Sequence, residues 1–328
     1  MSVPFTVVIA DFLEESTVET SILGDLARVV VACAHNEEAL LPFLAEADAL
    51  VLFHDIERVG ENSFQTAPNC RCIVRAGVGF NNVDLDAADR HGVTVCNVPD
   101  YGTEEVADHA IMFLLAMSRR LIPCHEAIRN GSWHYQAASG TPRLRGKTFG
   151  VVGCGRIGSA TALRAKAFGL EVVLHDPLLP QGVDKALGIR RVHRLEELLA
   201  QSDFVSLHCY LDATTRHLIN EKTIASMRPG AYLINTARGP VVEEKALLAA
   251  LDSGQIAGAA LDVVEHEPLN DDRLRSHPKI LFTPHSAFYS VEGFIELRSK
   301  AASEIRRILL GEEPWNRVNH PVIRAEIL

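Results

Sequence analysis

The sequence predicts an α/β protein built from two doubly wound parallel sheets with a cleft between them. Three observations carry that expectation. Short β-branched and apolar runs alternate with helix-patterned segments along most of the chain. Strands joined through helices run parallel, because a helical crossover returns the chain to the same end of the sheet. The alternation occurs twice, and the two series are separated by a long helical stretch, 103–121, and an irregular segment, 122–146. The second series also opens on a glycine-rich turn. At 328 residues the chain is long enough for two cores of ordinary size.

The first series reads as strands at TVVIA (6–10), ARVVVA (27–32), ALVLF (49–53), CIVRAG (72–77) and TVCNVP (94–99). NEEALLPFLAEA (36–47) lies among them with helical spacing. The N-terminal MSVPFTVVIADF has no basic region and soon meets Asp11, Glu14 and Glu15, so it is expected to be the first strand rather than a signal peptide. TEEVADHAIMFLLAMSRRL (103–121) follows as a helix, with Thr103 as a cap, Glu104 and Glu105 suited to its positive start and Arg119 and Arg120 to its end. Its middle is apolar on nearly every face, which predicts burial between two bodies.

Residues 122–146 carry Pro123, Gly131, Trp133, Tyr135, Gly140 and Pro142 and read as a loop with contacts of its own. The second series contains KTFGVVG, LEVVLHDP (170–177), FVSLHC (204–209), AYLINTA (231–237), GAALDVV (258–264) and ILFTPH (280–285). The chain then runs into VEGFIELRSKAASEIRRILLG, an amphipathic helix with apolar positions 294, 297, 301, 305 and 308 that stops at Gly311.

Composition removes several function classes. No run approaches the ~18–20 consecutive apolar residues of a membrane span. A net charge of −10 without a basic cluster argues against nucleic acid as a partner. Seven scattered cysteines, an odd number, suit reduced thiols in the cytoplasm. Cys70 and Cys72 stand close together, but no second pair or His cluster completes a metal site, and none is expected.

The glycine-rich turn is Gly153-Cys154-Gly155-Arg156-Ile157-Gly158, after the strand FGVV and at the start of the helix RIGSATALRAKAF. In that context Gly153 permits the tight turn, Gly155 lets backbone approach a pyrophosphate, and Gly158 allows helix to lie close on strand. The unpaired N–H groups of the helix start receive the phosphates. The next strand ends at Asp176, which is suited to accept from the adenosine ribose hydroxyls and to repel a 2′-phosphate; Pro177-Leu178 supplies no compensating Arg. The cofactor expected is therefore NAD rather than NADP.

Three more strand ends carry charge. Arg238 follows LINTA, Asp262 lies within GAALDVV with Glu267 soon after it, and His285 ends ILFTP. Each alone has an ordinary reading as a cap, a solvated carboxylate or a structural histidine. Their convergence is the signal, since all leave carboxyl ends of strands in the nucleotide-binding body, where bound nicotinamide is expected.

RAGVGFNNVD (75–84), NVP (97–99), the glycine turn, SDFVSLH (202–208), NTARG (235–239), GAALDVVEHEPL (258–269) and TPHSAFYS (283–290) together resemble the D-isomer-specific 2-hydroxyacid dehydrogenase family. The resemblance covers roughly residues 70 to 290. CNVP and TPHSAFYS are most similar to the branch that contains the C-terminal-binding-protein corepressors. The resemblance implies a flavodoxin-like substrate domain, 1–101 and 292–328, and a Rossmann-type NAD domain, 102–291. It also implies a homodimer paired through the NAD domains, with helix 103–121 and the loop of Trp133 and Tyr135 as contact elements.

The family's catalytic Arg, Glu and His fall on Arg238, Glu267 and His285. Reducing a ketone builds negative charge on its oxygen, so a proton donor must stand beside it. An imidazole titrates near neutrality and can give and take that proton. A carboxylate partner holds the ring and favours its protonated form. A guanidinium offers a planar fork for the substrate carboxylate. By the same resemblance Arg156 and Ile157 meet the pyrophosphate, and Cys209, Tyr210 and Thr215 neighbour adenine and ribose. Val106, Thr236, Ala237 and Asp262 surround the nicotinamide end, with Asp262 accepting from the carboxamide. Arg75, the amides of Val78 and Gly79, and Phe288 are implied on the substrate side. The chain departs from the family at Cys209-Tyr210, where many relatives have Pro, at Asp108, at Asn81, and at Phe288, where the corepressor branch has Trp.

The leading expectation is an NAD-dependent reductase of small 2-oxo acids such as glyoxylate, hydroxypyruvate or an apolar-tailed analogue. A phosphoglycerate dehydrogenase is the runner-up in the same class, and Arg75 is the only obvious cation for its phosphate. An NAD(H)-sensing corepressor-like scaffold is the alternative of a different class.

Overall fold

A computed structural model describes residues 4–321. The chain divides into two compact units. One is formed by the chain up to Gly102 together with the segment from Ser290 onward, and the other is Thr103–Tyr289.

In the first unit β1 (Phe5–Ile9), β2 (Ala27–Val31), β3 (Ala49–Leu52), β4 (Cys72–Arg75) and β5 (Thr94–Asn97) form a parallel sheet in the order β2-β1-β3-β4-β5. This is the flavodoxin-like doubly wound order. β3 and β4 are buried at every position, as strands covered on both faces must be, which is why they read as continuous apolar runs rather than alternating ones. The helix Val291–Leu309 belongs to this unit. Ser290 caps it by accepting from the Gly293 N–H at 2.8 Å, and Leu297, Ala301, Ile305 and Leu309 form its buried stripe.

Arg298, on the same helix, is buried and grips Glu19 through two bonds of 2.8 and 2.6 Å, with Glu15 as a further partner. Glu19 is fully buried. An ion pair so deep fixes how the helix sits on its neighbour Thr17–Leu23, because any other register strands an unpaired charge. The loop after β3 is held from two sides. The Asp11 carboxylate, fully buried, accepts from the N–H groups of Phe53 (2.6 Å), Asp55 (2.8 Å) and Ile56 (3.2 Å). Asn82 donates to the carbonyls of Phe53 and Ile56. Burial pushes the Asp11 carboxyl up in spite of those three bonds.

The second unit contains β6 (Thr148–Val152), β7 (Glu171–His175), β8 (Arg190–Arg191), β9 (Phe204–Leu207), β10 (Ala231–Asn235), β11 (Ile256–Leu261) and β12 (Ile280–Phe282). They form a parallel sheet in the order β12-β11-β10-β9-β6-β7-β8. That is the dinucleotide-binding order with one added strand, and its reversal point lies between β6 and β9. β10, β11 and β12 are consecutive neighbours, so whatever leaves their carboxyl ends emerges along one edge of the sheet.

The sequence expectation fails in three places. The helix expected over 103–121 ends at Ser118, and Arg120 takes φ +52°, a left-handed conformation that turns the chain into a second helix, Leu121–Arg129. Segment 122–146 therefore begins as helix and later holds a 3₁₀ turn, Tyr135–Ala138. Helix Thr103–Ser118 buries Val106, Ala107, Ala110, Ile111, Phe113 and Leu114, while Met112 is 44% exposed. Segment 36–47 is not one helix but a short turn, Glu37–Leu40, followed by a 3₁₀ turn, Leu41–Phe43, that contains Pro42. Among the described residues no helix is long and apolar enough to cross a membrane.

Candidate active site

The glycine turn sits where β6 ends. Gly153 has φ +84°, and a Cβ there would lie 2.6 Å from the Cys209 backbone nitrogen. A Cβ on Gly158 would lie 2.1 Å from the Gly153 carbonyl oxygen. Both glycines are thus required by the chain's own backbone. Gly155 is different: its φ is −70°, and nothing lies within 4 Å of where its Cβ would be. Internal packing does not explain it, whereas a ligand approaching that backbone does. Gly155 also caps the helix Arg156–Ala167 without a side-chain bond, leaving the first N–H groups of Arg156 and Ile157 open to an anion.

Beneath this turn His208 bonds Ser206 Oγ through Nε2 at 2.8 Å, while its buried Nδ1 has no partner. Burial pushes its imidazole down to about 3, so it carries no charge. Asp176 closes β7, with one oxygen accepting from the Cys154 N–H at 2.8 Å and the other from the Leu178 N–H at 2.9 Å. A cation stands nearby that the local sequence did not reveal. Arg191, on β8, donates to the backbone carbonyls of Asp176 (2.6 Å) and Leu179 (3.0 Å). It fastens the turn that follows β7 and carries Asp176.

Arg238 is placed by Asn235, the last residue of β10. The fully buried Asn235 side chain accepts from the Ala237 N–H at 3.0 Å and donates to the Arg238 carbonyl at 2.9 Å, closing the turn around Thr236. Thr236 Oγ1 is buried without a partner, an orphan polar atom at the carboxyl end of the central strands. The Arg238 guanidinium donates to the Ala237 carbonyl at 2.6 Å. Gly239 then meets the neighbouring loop, since a Cβ on it would lie 1.8 Å from the Val264 carbonyl oxygen and 2.6 Å from the Glu265 nitrogen. The turn bearing Arg238 and the loop bearing Glu267 are therefore in backbone contact.

Beyond β11, Glu265 and Glu244 each accept from the other's backbone N–H, at 2.8 and 2.6 Å, and His217 bonds Glu265 at 3.0 Å. Glu267 Oε2 bonds His285 Nδ1 at 2.6 Å, and its other oxygen accepts from the Val264 N–H. His285 has φ +51°, uncommon for a residue with a side chain. Glu267 is exposed and His285 half-buried, and the carboxylate takes the Nδ1 side of the ring. Phe288 lies edge-on to the His285 ring at 6.3 Å.

The structure thus joins Arg238, Glu267 and His285 through a backbone contact and a hydrogen bond at one sheet edge. Val106 is buried in the first turn of its helix. Tyr210 and Thr215 close a compact turn in which Thr215 Oγ1 donates to the Tyr210 carbonyl at 2.7 Å. Burial pushes the Cys209 thiol up to about 11, so it stays protonated. Asp262 is buried, and both its carboxylate oxygens already accept from residues 283–287. Arg75, Val78 and Gly79 belong to the other unit. There Arg75 is buried and donates to the Ala76 carbonyl at 2.9 Å, and the Val78 carbonyl accepts from Asn97 at 2.7 Å. Sequence reasoning missed Asn235, Gly239, His109 and Arg191. The first two lie inside the NTARG motif, and a histidine at the edge of the apolar stretch AIMFLLAM was the available signal for His109.

The family model described as D-isomer specific 2-hydroxyacid dehydrogenase, NAD binding domain, matches residues 111–287. The chain belongs to this family. It is 36% identical over 322 residues to a D-3-phosphoglycerate dehydrogenase of Methanocaldococcus jannaschii, covering 98% of this chain but 61% of that relative, so it spans about three-fifths of the relative's length. Among solved structures it resembles a glyoxylate reductase from Paecilomyes thermophila, with TM-score 0.87 and 29% identity over 96% of this chain and 98% of that one. It also resembles a D-lactate dehydrogenase from Aquifex aeolicus complexed with NAD and lactic acid, with TM-score 0.87 and 28% identity over 97% and 100%.

The family's domain binds NAD, and this chain's residues fit that cofactor. Gly155 is open, the helix behind it is uncapped, a carboxylate ends β7, and Thr236 Oγ1 lacks a partner. If Asp176 holds the ribose, Asp176→Asn weakens NADH binding by about tenfold, the worth of a hydrogen bond to a charged group, and narrows the gap to NADPH. Fluorescence titration with both cofactors checks this, and unchanged NADH affinity would remove Asp176 from the site.

Proposed function

We propose that the protein is an NAD-dependent oxidoreductase that interconverts small 2-oxo acids and D-2-hydroxy acids. The observation that carries the reading is the 2.6 Å bond between His285 Nδ1 and Glu267, one backbone contact away from the Arg238 turn. Bound NADH supplies the hydride. Arg238 grips the substrate carboxylate with its planar fork and orients the ketone. His285 delivers a proton from Nε2 to the ketone oxygen as the carbonyl electron pair moves onto it, and recovers that proton in the oxidative direction. Glu267 holds the imidazole tautomer with Nδ1 protonated and offsets the charge of the imidazolium. The substrates favoured are glyoxylate, hydroxypyruvate or an analogue with an apolar tail, for which Phe288 offers a ring beside His285.

The likeness to D-3-phosphoglycerate dehydrogenases supports a second reading, oxidation of a phosphorylated hydroxy acid. A panel of glyoxylate, hydroxypyruvate, longer 2-oxo acids and 3-phosphohydroxypyruvate, followed by loss of NADH absorbance, separates the two. Preference for the phosphorylated acid selects the second. Tight NADH binding with no turnover of any acid overturns both and leaves a cofactor-sensing scaffold.

The reading includes a homodimer paired through the NAD-binding unit. Trp133 and Tyr135 are more than four-fifths exposed, at 83% and 84%, and Met112, Leu121 and Phe168 present further apolar surface. Exposed aromatic surface of this kind favours an interface. Light scattering is expected to give twice the chain mass, and Trp133→Glu to shift it toward the monomer. A monomeric mass for the unmodified protein at micromolar concentration would contradict it.

A further inference from the structure

We propose that His109 is a positioning residue for His285, acting through Thr283 and Asp262. The inference rests on the reading of His285 as the proton donor. It starts from the conformation of the His285 turn. A side-chain-bearing residue at φ +51° is held there only when its surroundings impose it. Here the imposing group is Asp262. Its backbone carbonyl accepts the His285 N–H at 2.8 Å. One carboxylate oxygen accepts the Ser286 N–H at 2.9 Å and the Thr283 hydroxyl at 2.5 Å, and the other accepts the Ala287 N–H at 3.1 Å. One aspartate therefore holds the turn from Thr283 to Ala287 at four points.

The hydroxyl of Thr283 fixes the direction of the remaining bond. It has a single proton, and an ionised carboxylate can only accept, so that proton lies toward Asp262. The Thr283 oxygen must then accept from His109 Nε2, 2.9 Å away. The order of donation is His109 to Thr283 to Asp262, and it assigns His109 a proton on Nε2. The ring stands edge-on to Phe113 at 4.6 Å, and its side chain is only 15% exposed. Burial keeps the imidazole below its ordinary range, against the pull of the Asp262 carboxylate 3.9 Å away, so it serves as an uncharged donor at neutral pH. In so dry a setting each link polarises the next. Without His109 the Thr283 oxygen lacks its donor, and the turn loses the contact that ties it to helix Thr103–Ser118.

The test uses the 328-residue chain and two pairs of variants. His109→Leu and Thr283→Val break the relay, while His109→Gln keeps an N–H donor and Thr283→Ser keeps the hydroxyl. The breaking variants are expected to lower kcat by about tenfold to hundredfold, the scale for a catalytic group misplaced by an ångström. Their NADH dissociation constant and KM for the oxo acid should hold within about twofold, the size of a local perturbation. The conservative variants should restore most of kcat. A second readout does not depend on turnover: the far-downfield Nδ1 proton resonance of His285 bonded to Glu267 should broaden or vanish in Thr283→Val and persist in Thr283→Ser. If the unmodified protein reduces no 2-oxo acid, the functional reading fails, yet this resonance still decides the positioning claim. Parallel loss of NADH affinity and turnover would assign the relay to the cofactor instead. Wild-type kcat and an intact resonance in Thr283→Val would overturn the proposal.

Discussion

His285→Ala is expected to reduce turnover about 10²- to 10⁴-fold, the usual contribution of a positioned general acid, while NADH binds nearly as before. The two effects separate because His285 lies beyond the carboxyl end of β12, whereas the glycine turn and Asp176 follow β6 and β7 on the far side of β9, β10 and β11 in the sheet. Its ring bonds Glu267, so alanine removes that ring and leaves an exposed carboxylate that water can solvate. Alanine is no better suited than histidine to φ +51°, so backbone strain is common to both proteins. Stopped-flow traces with the preferred oxo acid, paired with a fluorescence titration of NADH, give both quantities. Equal losses in binding and turnover would make His285 structural.

Gly239→Ala is the second large effect. The added methyl would need to stand 1.8 Å from the Val264 carbonyl oxygen and 2.0 Å from its carbon, both of them backbone atoms that no rotamer change can move. The two loops must part, and they carry Arg238 on one side and Glu267 on the other. Overpacking of this kind costs about 1–3 kcal/mol or more of stability. An ångström of separation between the substrate grip and the proton donor's partner can lower turnover by about a hundredfold. A drop in Tm together with a loss of kcat larger than that of a distant destabilising variant is the expected outcome. Unchanged kcat in a folded Gly239→Ala protein would mean that the spacing of these loops does not govern the chemistry.

Much of the architecture was legible because parallel strands buried on both faces write themselves as apolar runs, as in ALVL and CIVR. The glycine turn was legible in its strand and helix context, and Arg238, Glu267 and His285 were singled out by their convergence after neighbouring strands and by the family's motifs rather than by any one residue alone. What escaped notice depends on partners distant in sequence. Helix-forming residues run unbroken through Ser118 to Leu121, yet the helix stops, and Arg120, bonded to the Ala137 carbonyl, turns the chain. β8 is two residues long, too short for any pattern, and its Arg191 reaches Asp176 only through the fold. Asp11 looked like one of several N-terminal acids, but its role is set by amides more than forty residues away. His109 has the same character: its partner Thr283 lies 174 residues further along the chain.

On the proposed function, Arg238, Glu267 and His285 gather around one ketone and protonate it as hydride arrives. A single turnover with NADH deuterated on the transferring face of C4 and the best 2-oxo acid tests it most directly. The account predicts deuterium at C2 of the D-hydroxy acid, formed by the unmodified protein and nearly absent with His285→Ala. Label in the L-isomer, or equal labelled product from both proteins, would contradict it.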